Sequence, residues 1–183
     1  MPHLLGKTIM LREYRRDDLR HITAWVNDME TTRYLSNLFV WPQTVKVSDD
    51  FLDMRLSGSR REACFVIADK ETQEYLGQAD LMDIDWIDRC GTVGMVIGRG
   101  EKRGVGIGTQ ALTLLLEHAF LNLGLHRVQL DVYAANLRGI ACYEKAGFVK
   151  EGVKRRARYI NGAYMDVVLM SVLREEWEKG RGE

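Results

Sequence analysis

The sequence predicts an α/β (α+β) domain, a central mixed but mostly antiparallel sheet flanked by helices. Three observations predict it. The middle of the chain reads strand, glycine-rich loop, helix, strand, helix, strand, which is the pattern of a parallel crossover. The flanks alternate apolar and polar residues with period two, as half-buried strands do. Near the end, Asn161-Gly162 joins two strand-like runs, a strong hairpin signal. At 183 residues, one domain over 1–183 is expected.

The elements follow in order. TIMLREY (8–14) alternates and reads as a strand. Asp17 and Asp18 are placed to cap a helix with Leu19, Ile22, Trp25 and Val26 on one face. Residues 27–42 are mixed and read as irregular. A short helix over about 48–56 should stop at Gly58. Residues 63–85 read strand, polar turn, strand. GTVGMVIG (91–98) is apolar on both sides and so reads as a central strand. After the loop, 109–124 is helical and apolar around most of its circumference, with Gly124 as its stop. HRVQLDVY (126–133) alternates again. Asn136 is an N-cap for a helix over 137–147 that ends at Gly147. FVKEGV (148–153) and the hairpin close the chain.

Composition excludes several function classes. The 26 cations balance the 26 anions, which argues against bulk electrostatic binding to nucleic acid. Cys64, Cys90 and Cys142 are widely spaced with no CxxC pair, and the four histidines form no HExxH, so no metal site is expected. Charges interrupt the N-terminal segment too early for a signal peptide, and no apolar run approaches the ~20 residues of a membrane span. A cytoplasmic protein with no membrane partner fits these features.

The most informative stretch is RGEKRGVGIGTQAL (99–112). A strand, a glycine-rich loop and a helix N-terminus together make an anion site, because loop and helix N–H groups converge on one point. Composition alone also allows a solvated surface turn. The position between two buried-looking elements favours the anion site. No Lys-Ser or Lys-Thr follows a glycine, so it is not a Walker A loop. The spacing Gly104-x-Gly106-x-Gly108 is not the dinucleotide fingerprint either.

Arg103-Gly104-Val105-Gly106-Ile107-Gly108 resembles the R-x-x-G-x-G signature of the GNAT N-acetyltransferases. A second block, Asn136, Tyr143, Lys145, Gly147 and Phe148, resembles the other half of that family's cofactor site. The opening and the tail are similar to the branch of ribosomal-protein N-terminal and polyamine acetyltransferases. The resemblance implies a twisted sheet whose fourth and fifth strands splay apart, with acetyl-CoA in the opening and no metal. It implies that pyrophosphate sits on Arg103, Gly104, Val105, Gly106, Ile107, Gly108 and Thr109. The pantetheine arm would pair with Val96, Ile97 and Gly98, with Asn136 opposite and Lys145 near the nucleotide end. Relatives are often dimers through their C-terminal strands, so a homodimer is compatible.

Acetyl transfer needs a neutral amine, a donor for the oxyanion and a proton for the leaving thiolate. Tyr143 matches the family's acid, and a phenol of pKa ~10 can protonate a thiolate of pKa ~8.5. Read by spacing alone, it is an aromatic packed on a short helix. Many relatives carry a base on the fourth strand, where this chain has Thr92. A water chain, another carboxylate or slow catalysis remain as options. Asp83 and Asp85 share one face under strict alternation and Asp80 takes the other. These carboxylates suit a cationic acceptor, or equally a solvated strand end. Cys142 reads as small helix filler rather than a nucleophile.

In this family the acceptor site is shaped by the first helices and the last hairpin. Trp25, Glu30 and Tyr34 are candidates to line it, with Asn27, Trp41, Tyr159 and Tyr164; each reads equally as core or lid packing. The expected acceptor is a primary amine, a protein N-terminus or a small molecule such as a polyamine. The alternative is a non-catalytic acyl-CoA-binding sensor, motivated by Thr92.

Overall fold

A computed structural model describes residues 3–160 and 162–180. Among them, eight strands form one sheet: β1 (Leu4–Leu5), β2 (Ile9–Arg12), β3 (Ala63–Asp69), β4 (Tyr75–Asp85), β5 (Cys90–Ile97), β6 (Arg127–Tyr133), β7 (Val149–Ile160) and β8 (Ala163–Leu173). Their order is β1-β2-β3-β4-β5-β6-β8-β7. Six helices flank it: α1 (Leu19–Trp25), α2 (Met29–Thr32), α3 (Val45–Ser57), α4 (Ile107–Glu117), α5 (Leu137–Lys145) and α6 (Arg174–Gly180).

Every strand pair is antiparallel except β5–β6. That parallel pairing joins only Cys90 with Arg127, Gly91 with Val128 and Thr92 with Gln129. Beyond Thr92 the two strands part. This is the expected splay, and the two-residue β1 moves it from the fourth and fifth strands to β5 and β6.

Period two sorts the core into two layers. On β2, Ile9 and Leu11 join the cluster that contains Phe65, Ile67, Leu112, Leu115, Phe120 and Val128. Met10, between them, joins Tyr14, Ile22, Trp25, Leu52 and Tyr75 on the opposite layer. The helices α1 and α3 cover the second layer, and α4 covers the first.

Local chemistry explains most boundaries. Thr44 starts α3 early, because its hydroxyl accepts the Val47 N–H at 3.2 Å. Gly58, at φ +73°, stops it as expected. Helix α4 starts at Ile107, two residues before the expected start, and passes through a wider helical turn over 118–122 towards Gly124. Strand β1 and helices α2 and α6 were not expected; α2 falls in the stretch read as irregular, where the Asp28 carboxylate accepts the Glu30 and Thr31 N–H groups. The heavily charged α6 is held by Trp177, whose ring lies 5.3 Å from that of Phe120. Asn161 lies outside the described residues. Gly162 takes φ +81°, and β7 and β8 form the expected hairpin. No described helix is long and apolar enough to cross a membrane.

Asp18 does not cap α1 through its side chain. Its carboxylate instead takes the Arg12 guanidinium in a two-bond clamp at 2.8 and 2.9 Å, both side chains 3% exposed. It also accepts the Arg15 N–H at 2.7 Å. A buried cation stripped of its partner is costly, so Asp18→Ala is expected to lower stability by about 3–5 kcal/mol. Urea unfolding checks this, and a loss below about 1 kcal/mol would contradict the clamp's role.

Candidate active site

The parting of β5 from β6 opens a cleft of about 290 Å³. The glycine loop and the start of α4 form one wall, and α5 forms another. Gly104 and Gly106 adopt φ +81° and +87°, a left-handed backbone that other residues enter only at a cost. Gly106 is the N-cap of α4 and uses no side chain for it. The first N–H groups of such a helix lack intrahelical partners, and here they border the cleft at Gly106, Gly108 and Thr109. Gly108 lets α4 approach α5 closely. A Cβ there would stand 3.1 Å from the Cys142 sulfur and 3.2 Å from the Met95 methyl.

The cleft is basic although the chain is neutral. Arg33, Lys102, Arg103, Arg138 and Lys145 line it against a single carboxylate, Glu30. With the helix terminus, this suits a polyanion. Arg103 also closes a contact the sequence did not announce. Its Nε donates to the Ile97 carbonyl at 3.2 Å, and its other nitrogens reach Thr31 and Glu30. The loop is thereby tied to α2. Asn136 caps α5, its side-chain oxygen accepting the Gly139 N–H at 3.0 Å.

A second cavity, of about 460 Å³, lies beyond. Tyr34, Leu35, Met95, Val96 and Tyr143 border both spaces, so the two meet there. Tyr143 is half-buried, its ring edge-on to Phe148 at 5.8 Å. Burial pushes its hydroxyl up to about 12, so it holds its proton throughout the neutral range. Its hydroxyl has no hydrogen-bond partner among the described residues. Trp25, Phe39, Phe51 and Tyr133 give the second cavity aromatic walls. Its charges balance: Arg55 and Arg158 against Asp80 and Asp131. Asp131 is already paired with Lys154 at 2.7 Å.

The fold brings together most of the expected site. Glu30, Tyr34, Val96, Ile97, Arg103, Gly104, Gly106, Gly108, Thr109, Asn136, Tyr143 and Lys145 all line the cleft. Trp25 lines the second cavity, held by its indole N–H on the Tyr75 hydroxyl at 3.0 Å. Gly98, Val105 and Ile107 do not line the cleft. Gly98 sits against Trp25, Val105 is exposed, and Ile107 is packed in the core.

Asp83 and Asp85 also stand apart from both cavities. The β4–β5 register shifts between Met82 and Asp85, and Asp83 takes φ +50°, so strict alternation fails there. The Asp85 carboxylate is occupied by the N–H groups of Ile87 and Asp88. Trp41 is exposed, Tyr159 and Tyr164 pack on each other, and Asn27 is bonded to Gln43. Leu35, Phe39, Phe51, Arg55 and Met95 were not anticipated. Only the long-range pairing of α3 with β4 reveals Arg55, so no local signal could have found it.

The profile of the acetyltransferase (GNAT) domain matches residues 8–149. The spermidine N(1)-acetyltransferase of Vibrio cholerae is 28% identical over 176 residues, 94% of this chain and 97% of that protein. The Bacillus subtilis protein named "Putative ribosomal N-acetyltransferase YdaF" is 36% identical over 102 residues, 56% of this chain and 55% of that one. The crystal structure of the Vibrio cholerae spermidine N-acetyltransferase with CoA and spermine matches with a TM-score of 0.83 at 26% identity. It covers 93% of this chain and 98% of that one.

Proposed function

Because this chain belongs to the GNAT acetyltransferase family, it moves an acetyl group from acetyl-CoA to an amine; we propose that the amine is the lone cationic end of an otherwise apolar acceptor, a protein N-terminus first among them. The observation that carries this reading is the second cavity, which is aromatic and charge-balanced where it meets Tyr143. A polyamine with several ammonium groups would want several free carboxylates. Here Arg55 and Arg158 oppose it, and Lys154 already occupies Asp131. One ammonium beside an apolar side chain suits such walls better.

The basic cleft fits the other substrate. Its unpaired helix N–H groups and five cations match a pyrophosphate and a further phosphate. Beyond Thr92, β5 has no strand partner on the β6 side, and Val96, Ile97, Asn136 and Lys145 border the path the pantetheine arm would take. At the junction, Tyr143 donates its proton to the departing sulfur. The relatives named above are acetyltransferases, and no observation favours a binding-only protein.

Initial rates with a short peptide bearing an apolar first residue, set against spermidine, test the acceptor. The peptide is expected to show at least a tenfold higher kcat/KM. The reverse order would overturn the choice of acceptor.

A further inference from the structure

Asp80 sits at the floor of the second cavity, 5% exposed. Its cross-strand partner on β5 is Gly94, and the Met82 methyl takes up the space where a Gly94 side chain would stand. The two carboxylate oxygens are unequally occupied. Oδ1 accepts the Tyr14 hydroxyl and the Phe65 N–H, both at 3.1 Å. Oδ2 has only longer contacts, Tyr14 at 3.3 Å and the Arg55 guanidinium at 3.5 Å. Arg55 is turned to Glu62, which it meets at 2.6 Å. Oδ2 is thus the more loosely held of the two oxygens, and the one with capacity left for an incoming ammonium.

Resting on the acetyltransferase reading above, we propose that Asp80 is the catalytic base, which takes the proton from the acceptor ammonium. The acceptor gives one N–H proton to Asp80 and becomes nucleophilic. As its nitrogen bonds to the acetyl carbon and the C–S bond breaks, Tyr143 gives its proton to sulfur. Tyr143 regains a proton from the same nitrogen, which becomes the amide, and Asp80 releases its own to solvent. No further reactant is needed.

The surroundings suit the task. Burial pushes Asp80 up to about 6 against the pull of Arg55 and the hydrogen bonds of Tyr14 and Phe65, with Glu62 adding to the rise. Cys64 and Tyr75 are the other titratable groups nearby, and burial pushes both well up, so they stay neutral. A carboxyl near 6 is a far better match to an α-amine of pKa about 8 than an ordinary aspartate near 4.

Asp80→Asn, nearly isosteric, tests this through a pH profile of kcat/KM with the peptide acceptor. At pH 7 the loss is expected to be on the order of 100-fold. It should shrink as the pH passes the amine's own pKa, because the amine then arrives neutral. The wild-type profile should rise through about pH 6. Undiminished activity at pH 7, or the same loss at pH 9 as at pH 7, would overturn the proposal. Unchanged acetyl-CoA affinity shows that the variant is folded. Should it fail to fold, Asp80→Glu carries the test, and a lower limb that does not move with the longer carboxylate counts against Asp80. Failure of the acetyltransferase reading looks different: the wild type would then release no CoA with any amine. If spermidine proves the better acceptor, the same profile is run with spermidine.

Discussion

Replacing Gly106 by valine is expected to weaken acetyl-CoA binding by two orders of magnitude or more. At φ +87° a β-branched residue is strained by roughly 1–2 kcal/mol. No atom stands within 4 Å of the added Cβ, so the fold itself has room for it. The open space it fills borders the cleft, where the phosphates would meet the helix terminus. Losing two charge-assisted bonds at about 1.5–3 kcal/mol each gives the expected factor. Calorimetric titration of wild type and variant measures it. Stability should fall only by the strain. Full affinity in the valine variant would mean that the phosphates bind elsewhere.

The second large effect is at Tyr143. Tyr143→Phe is expected to lower kcat about 100-fold and to leave the KM for acetyl-CoA within about threefold. The ring and its edge-on contact with Phe148 survive the change, and the hydroxyl has no hydrogen-bond partner to abandon among the described residues. Stability should therefore hold. Because burial holds the hydroxyl's proton up to about 12, wild-type kcat should show no falling limb from this group at pH 7–10. Steady-state rates across that range decide the matter. An unchanged kcat would remove Tyr143 from proton transfer.

How much of this was legible beforehand depended on how local the cause was. The hairpin, the cap at Asn136 and the stop at Gly58 each rest on one or two neighbouring residues, and each stands in the structure. The glycine loop was legible for the same reason. Features that depend on distant partners were not. Asp18 looked like a cap because its local sequence suits one, but Arg12 outcompetes the helix for its carboxylate. The charged helix α6 has little apolar pattern, and it docks through Trp177, which joins the main core cluster beside Phe120. Alternation placed Asp83 and Asp85 on one face, and a single left-handed residue undid that. The walls of the second cavity come from α1, α3, β4, β5, β6 and β8 at once, which no single stretch of sequence records.

The three-residue contact between β5 and β6 has a consequence for how far this protein can be improved. Zipping the two strands along Val93–Ile97 would pair more backbone groups and give a tougher molecule. It would also close the cleft that the proposed reaction uses. Stabilising variants found by heat selection alone would drift towards that closed, inert form. Selection that keeps activity must leave the interruption in place, and durability has to come from elsewhere in the chain.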